Sequence, residues 1–278
     1  MIFKNMMKIK WLVLVVFVAS ACSGYEKLLK STDYHLKYKK AFEYYNAKDY
    51  VKAGTIFDQI APIFRGTKNA DSVYFFQAMS YYHQGDYILS GHYFKVFAQT
   101  YGGSKFAEDA NFYVGYCYYL TSPRPELDQS NTMLAIQAFQ LFIIKYPDSK
   151  KVDDCQKLIN DLREKLVEKS FLSSELYYKL DDYKAAIVSL NNSLSDFPDS
   201  KHREDIMYML VKASYLLASH SVESKLKERY QSTVDEYYSF IAEFPNSKYK
   251  KEVDKIYQES AKVLNIDTKQ NTDLSIKQ

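Results

Sequence analysis

A pattern of small and large residues recurs five times along this chain of 278 residues, and it constrains the fold more than any other feature of the sequence. Counting from each of five anchor residues, a small residue stands three positions later, a large residue seven positions later and an aromatic residue fourteen positions later. The anchors are Tyr50, Tyr87, Thr132, Tyr183 and Tyr230. These steps return to the same face of an α-helix, so each segment is predicted to be an amphipathic helix.

The residues before the anchors predict a second helix in each unit. Aromatic and small residues recur at matching distances before the first and second anchors and, less regularly, before the fourth, and a two-residue turn follows each of these segments. The turns are Lys48-Asp49, Gly85-Asp86 and Asp181-Asp182, whose residue types end one helix and cap the next. A helix, a short turn and a second helix form the unit of a tetratricopeptide repeat.

We therefore predict an all-α fold: a right-handed superhelical solenoid of five tetratricopeptide-like helical hairpins over residues 34–264. We expect an N-terminal part at residues 34–146, a C-terminal part at residues 147–264 and a flexible tail at residues 265–278. Successive anchors are 37, 45, 51 and 47 residues apart, whereas an ideal repeat takes about 34 residues. The later units should therefore hold extra length, partly in a loop from Thr121 to Ser130 and partly in a helix from about Lys150 to Lys179.

The balance of charges argues against nucleic acid as a partner. The chain has 37 Lys and Arg against 34 Asp and Glu, and three of the lysines stand in residues 1–21. The remainder is neutral and lacks a basic stripe that could neutralise phosphates. The five histidines lack metal-ligand spacing, and no nucleotide-binding glycine loop or catalytic motif is found. We expect no enzyme activity, no cofactor and no metal site.

The amino terminus has the form of a secretory signal. Lys4, Lys8 and Lys10 precede an apolar stretch from Trp11 to Ala21, which is too short to remain as a membrane span. The run Ala19-Ser20-Ala21-Cys22 resembles the lipobox of bacterial lipoproteins, which predicts residues 1–21 as a signal peptide, acylation of Cys22 and a lipidated linker at residues 22–33. The alternative is a plain signal peptide followed by an incidental cysteine. The lipobox reading predicts a membrane anchor without a membrane span, in an outer-membrane lipoprotein that faces the periplasm.

Two further cysteines, Cys117 and Cys155, stand on separate predicted helices. Their spacing matches neither a redox motif nor a zinc site. They are interpreted as small buried apolar residues, although the compartment would also permit a disulfide.

The loop of the third hairpin is longer than a two-residue turn requires. It contains Ser122, Pro123, Arg124, Asp128 and Gln129. One interpretation is a tolerated surface insertion, since loops accept extra length at small cost. The other is a projection braced by proline, which offers Arg124 and Asp128 to a partner.

Several features together resemble the BamD family of outer-membrane assembly lipoproteins. They are the lipobox at Cys22, the loop from Ser122 to Gln129, and the run from Leu176 to Ala186 followed by Phe197-Pro198-Asp199-Ser200. The resemblance covers about Tyr34 to Leu264. It implies a periplasmic, lipid-anchored scaffold of the β-barrel assembly machinery.

The resemblance also implies partners and surfaces. Hairpins four and five, including Tyr177 and Tyr178, would contact a POTRA domain of a BamA-like barrel protein. First helices of hairpins one and two would form a groove for unfolded outer-membrane protein precursors, lined by Tyr44, Tyr74, Tyr81 and His83. Two alternatives stay open: a SusD-like nutrient-binding lipoprotein, whose relatives are about twice as long, and a periplasmic envelope scaffold built on the same repeats.

Overall fold

The computed structural model describes residues 24–266, and all regular secondary structure within that range is α-helical. A short helix α1 covers residues 24–30. The helices that follow are α2 (Tyr34–Asn46), α3 (Tyr50–Phe64), α4 (Ala70–His83), α5 (Tyr87–Thr100), α6 (Ala107–Thr121), α7 (Ser130–Lys145), α8 (Val152–Lys179), α9 (Tyr183–Asp196), α10 (Arg203–Ser219), α11 (Glu223–Glu243) and α12 (Lys250–Leu264). The all-α prediction is confirmed.

Successive helices pair as the repeat pattern predicted. The pairs are α2 with α3, α4 with α5, α6 with α7, the end of α8 with α9, and α10 with α11, and α12 then packs on α11. The small residue of every repeat is fully buried in its helix pair: Ala53, Ser90, Ala135, Ala186 and Thr233 are each 0% exposed. Small side chains at these points let the two helices of a hairpin approach closely. The predicted fold class of tetratricopeptide-like hairpins is therefore confirmed.

The three short turns share one backbone geometry. Lys48, Gly85 and Asp181 each adopt a left-handed conformation, with φ of 61°, 80° and 60°. The aspartate that follows each of them accepts a hydrogen bond from the backbone amide three residues later, which caps the next helix; these are Asp49, Asp86 and Asp182. The residues predicted to end one helix and to cap the next therefore do so in the structure.

The junctions between hairpins use serine as their main polar group. The side chains of Ser104, Ser149, Ser200 and Ser247 each accept a hydrogen bond from the amide two residues later. Each of these bonds forms just before the next helix begins. Ser149 also donates to Glu108 at 2.7 Å, and Ser104 donates to Asp71 at 2.7 Å. Ser104 and Ser149 therefore each tie a junction to the first helix of the preceding hairpin.

The chain divides into two compact units. Unit 1 runs up to Pro123 and includes Ser130–Leu162, and unit 2 comprises Arg124–Gln129 and the chain from Arg163 onward. We placed the division between residues 146 and 147, but the contacts place it inside α8. The reason is that the first part of α8 buries Cys155, Ile159 and Leu162 in the same apolar cluster as Phe139.

Residues 24–30 differ from the linker that the sequence suggested. They form α1, which packs against the first hairpin. Leu28 is buried in the cluster that contains Phe57, and the ring of Tyr25 meets the ring of Tyr44 edge-on at 5.7 Å. Seven residues are too few to show helical periodicity, so this contact was missed.

Cys117 and Cys155 are free thiols in the structure, and both are buried. Cys117 lies 3.6 Å from the hydroxyl of Ser90. Burial raises the pKa of each thiol to about 11. The interpretation of both residues as small buried apolar groups agrees with this placement.

Candidate functional site

The end of the fourth hairpin exposes three large apolar side chains. Leu176, Tyr177 and Leu180 are 56%, 43% and 66% exposed. The inner face of the same helix is used for packing, because Ser174 is fully buried and Tyr178 packs on the cluster formed by α9 and α10. We call the three exposed residues the hairpin-4 tip. Of the two tyrosines predicted to bind a partner, Tyr177 therefore faces solvent and Tyr178 is half-buried.

Backbone hydrogen bonds hold the hairpin-4 tip in one conformation. The amide of Leu180 donates to the carbonyl of Leu176 at 3.0 Å, and the amide of Asp182 donates to the carbonyl of Tyr177 at 3.1 Å. The hydroxyl of Tyr183 donates to Asp181 at 2.6 Å, and this hydrogen bond raises the pKa of the phenol. The apolar side chains are thus presented on a fixed turn, which lowers the entropy cost of binding a partner.

A charged cluster fixes α8 against the start of α10 in unit 2. The ring of His202 stacks on Phe171, with centroids 4.2 Å apart and an interplanar angle of 5°. Nε2 of His202 lies 2.8 Å from the carboxylate of Glu168, and Nζ of Lys201 lies 3.5 Å from the same group. The hydrogen bond with His202 is the main cause that lowers the pKa of Glu168. This cluster supports the helix that ends in the hairpin-4 tip.

The residues predicted to contact a partner in the loop of the third hairpin are not all exposed. Arg124 and Asp128 are exposed, and Nε of Arg124 lies 3.7 Å from the carboxylate of Glu126. Gln129 is buried, and its amide donates to the backbone carbonyls of Arg124 at 2.9 Å and Leu127 at 3.0 Å. Gln129 therefore braces the loop from inside instead of facing a partner.

Two further contacts hold this loop. The hydroxyl of Ser122 lies 2.6 Å from the hydroxyl of Thr132, and Pro123 is half-buried. On the other side, Lys169 of α8 donates to the carbonyl of Glu126 at 2.9 Å. These contacts brace the loop, and its exposed charged residues are Arg124, Glu126 and Asp128; both interpretations of the loop are compatible with this geometry.

The four residues predicted to line a groove pack against different neighbours. The ring pairs are Tyr44 with Tyr25, Tyr74 with Tyr101, Tyr81 with Tyr93 and His83 with Tyr50, at centroid distances of 5.7, 5.5, 5.4 and 4.4 Å. Tyr81 also donates to the carboxylate of Asp58 at 2.5 Å. Burial and this hydrogen bond raise the pKa of Tyr81. Tyr81 is thus hydrogen-bonded to one second helix, through Asp58 of α3, and stacked on another, through Tyr93 of α5.

A row of aromatic residues connects the first helices of unit 1, and the sequence did not indicate it as a surface. Tyr45 of α2 contacts Phe76 of α4 at 4.8 Å, and Tyr82 of α4 contacts Tyr113 of α6 at 4.9 Å. Burial raises the pKa of Tyr45 and of Tyr82 to about 12. Tyr45 and Tyr82 hold equivalent positions in successive repeats, which was the available signal. We call these four residues the first-helix row.

The predicted acylation site lies outside the described residues, as do residues 1–21 and most of the predicted tail. Across residues 24–266, no helix combines the length and apolar character needed to cross a bilayer. The same range contains no group of His, Cys, Asp and Glu side chains arranged to hold a metal ion.

The chain is similar to a curated protein and to a solved structure. The relative is "Outer membrane protein assembly factor BamD" of Rickettsia prowazekii (strain Madrid E), which is 26% identical over 98 residues, or 35% of this chain. The match spans 39% of that relative's length. The structure, "TPR2AB-domain:pHSP90-complex of yeast Sti1", is 13% identical, covers 82% of this chain and 98% of that chain, and has a TM-score of 0.36.

A family model covers most of the chain. The YfiO model, described as "Outer membrane lipoprotein", matches residues 31–174 and 174–264, which include every helix from α2 to α12. This match and the BamD relative confirm the resemblance that the sequence features indicated. The chain therefore belongs to the YfiO family of outer membrane lipoproteins.

Proposed function

We propose that this protein is a periplasmic, lipid-anchored scaffold of the β-barrel assembly machinery. In this role it binds a POTRA domain of a BamA-like barrel protein and receives unfolded precursors of outer-membrane proteins. The family match supports a role at the outer membrane, and the name of the Rickettsia relative supports a role in protein assembly. The observation that carries the proposal is the hairpin-4 tip, where three apolar side chains stand exposed on a hydrogen-bonded turn.

The hairpin-4 tip suits a folded partner. Leucine and tyrosine side chains that remain exposed in a free subunit gain free energy when a partner removes them from water, at about 25 cal/mol per Å² of apolar surface. Leu176 and Leu180 are one helical turn apart, so both side chains can enter the same hollow of a partner. Tyr177 adds a ring with a polar end, a residue type that is enriched at binding hot spots. We assign the POTRA contact to this tip.

The first-helix row suits an unfolded precursor. Its rings are half-buried, so each keeps part of its surface exposed to solvent. Rings with hydroxyl groups can accept different apolar side chains and also hydrogen-bond a polypeptide backbone. Tyr44, Tyr74 and His83 remain in the proposed precursor surface, and all four residues of the first-helix row are added to it. Tyr81 is left out because its hydroxyl is bound to Asp58.

Co-purification tests the proposal. The full lipidated protein is extracted from membranes in a mild detergent, through an affinity tag at its carboxyl terminus, and the bound proteins are identified by mass spectrometry. We expect a barrel protein with POTRA domains at a ratio near one to one. A tagged, unrelated lipoprotein from the same membrane is the control. Recovery of this protein without such a partner would contradict the assembly role and would favour one of the two alternatives.

A further inference from the structure

A groove in unit 1 lies apart from all the surfaces described so far. It is formed by α5, α6 and α7 and has a volume of about 460 Å³. Ala98 of α5 and Ala138 of α7 line its walls, Val114 of α6 also lines it, and the lining includes the side-chain amides of Gln99, Asn111 and Gln137. The first-helix row has Tyr113 on α6, but none of its members lines this groove. Its size is within the range of clefts that bind ligands in proteins.

The exposed face of α7 is unusually apolar for a helix that borders solvent. Leu134 and Leu141, which both line the groove, are 40% and 59% exposed. The single charged residue of α7 is Lys145, at its carboxyl end. By comparison, α11 of unit 2 carries five acidic residues among its 21. An amphipathic helix normally turns polar residues outward, so the outer face of α7 indicates a surface that is covered in use.

The charges around the groove have one sign. Lys95 stands on the wall formed by α5 and Lys145 on the wall formed by α7. Neither helix contains an aspartate or a glutamate. Glu108 and Asp109 at the start of α6 both pair with Lys151. The acids closest along the chain to the two wall lysines, Asp86 and Asp148, lie outside α5 and α7 and do not line the groove. A partner with carboxylates on both flanks would therefore meet a lysine at each wall and no repelling carboxylate from α5 or α7.

The dimensions favour a helix as the occupant. From Leu134 to Lys145 the wall formed by α7 extends about 16 Å, which equals about three turns of an α-helix. Alanine at positions 98 and 138 leaves room for the side chains of an incoming helix between the two walls. A helix satisfies its own backbone hydrogen bonds, so it can lie against Ala98, Val114 and Leu141 without unpaired polar groups. An extended segment would depend on the few side-chain amides of the lining, those of Gln99, Asn111 and Gln137, to pair its backbone.

We propose that this groove binds an amphipathic α-helix of a partner protein, with an apolar stripe of about three turns and acidic residues along its flanks. This site goes beyond the proposed function because none of its lining residues belongs to the hairpin-4 tip or to the residues of the proposed precursor surface. Its failure therefore leaves those surfaces untouched.

Two synthetic peptides test the proposal with the full chain purified in detergent. Both are helices of about 14 residues with leucine on one face. One carries glutamates on its flanks, and its twin carries lysines at the same positions. Fluorescence anisotropy should show that the glutamate-flanked peptide binds about tenfold more tightly than its twin. Reversal of the wall charges by Lys95→Glu and Lys145→Glu together should invert that preference.

Matched variants on α7 locate the binding. Leu141→Glu places a charge in the groove and should abolish binding of the glutamate-flanked peptide, whereas Ile144→Glu, on the same helix but outside the groove lining, should change affinity less than about twofold. Circular dichroism checks that both variants remain folded. Equal binding of the two peptides, or unchanged binding after Leu141→Glu, overturns the proposal. A third outcome is that neither peptide binds, while the chain binds phosphatidylglycerol vesicles and both variants weaken that binding. This face would then be a membrane surface, and the proposal would be overturned.

Discussion

The buried side chain of Lys37 on α2 donates a hydrogen bond to the side-chain oxygen of Gln59 on α3 at 2.7 Å. It also donates to the backbone carbonyl of Leu29 at 2.9 Å, near the end of α1. One ammonium group therefore joins α1 to both helices of the first hairpin. Since α1 follows the predicted acylation site, this contact positions the segment through which the proposed anchor reaches the repeats.

Replacing Lys37 with methionine should release α1. Methionine keeps the apolar stem but removes both hydrogen bonds, which leaves two oxygen acceptors without their donor and costs about 1–3 kcal/mol. Limited trypsin digestion should then cut at Lys27 and Lys30 faster than in the unaltered protein. Lys39→Met is the control, because Lys39 is an exposed residue of the same helix. Equal cleavage rates in the two variants would show that Lys37 does not hold α1.

The docking of α1 on the first hairpin, in the segment predicted to be a linker, could not be predicted from the sequence. The docking of α1 depends on a lysine, a residue type that a sequence pattern assigns to the surface. The buried position of Lys37 depends on two acceptors, the backbone carbonyl of Leu29 and the side-chain oxygen of Gln59. They lie 8 residues before and 22 residues after Lys37 along the chain. By contrast, the positions three residues after each anchor follow from helical spacing alone, and all five are buried.

Some features of the candidate site could likewise be predicted from local sequence, and others could not. Exposure of Arg124 and of Tyr177 follows from local sequence, because a loop with prolines projects and a helix end turns one face outward. The burial of Gln129 depends on the path of the loop backbone, whose carbonyls it binds. Likewise, the direction of Tyr81 depends on Asp58, 23 residues earlier on another helix. Spacing predicts the face of a helix, whereas tertiary hydrogen bonds select which polar groups turn inward.

Gly115→Ala should destabilise unit 1. A Cβ at this position would lie 2.7 Å from the ring of Phe139, which is fully buried and has no room to move. The overlap should lower the free energy of unfolding by about 1–2 kcal/mol in spite of the better helix propensity of alanine. Gly54→Ala is the comparison variant within α3, because its nearest neighbour is the side-chain amide of Gln84 at 3.1 Å, not a ring at 2.7 Å. Urea unfolding should show a smaller loss for that variant, and a similar loss in both would contradict the close packing of α6 on α7.

The buried thiols should make the protein less stable at alkaline pH. The pKa of Cys117 and of Cys155 is raised from 9.0 to about 11, so the unfolded chain loses these protons first as pH rises. Their contribution is fully present below pH about 9 and is lost between pH about 9 and about 11. Urea unfolding at increasing pH should show a falling free energy of unfolding. Replacing both cysteines with alanine should reduce the slope in this window, and an unchanged slope would contradict the assignment.

Replacing Cys22 with alanine tests the proposed anchor. Without the thiol there is no site for acylation, and the described residues contain no helix suited to span the bilayer. The variant should move from the membrane fraction to the soluble periplasmic fraction after cell fractionation. Cys117→Ala serves as the control and should stay with the membrane. Membrane attachment of the free Cys22→Ala protein would contradict acylation as the only anchor.

The assembly role is tested most directly by the affinity of the purified full chain for the POTRA domains of the barrel protein from the same organism. Leu176→Ser, Tyr177→Ser and Leu180→Ser combined should weaken binding by at least about tenfold, since three exposed apolar contacts would be lost. Val51→Ser, at an equally exposed apolar residue of α3, should leave the affinity within about twofold. Titration calorimetry measures both. Equal affinity of the triple variant and the unaltered chain would contradict the assignment of the POTRA contact to the hairpin-4 tip.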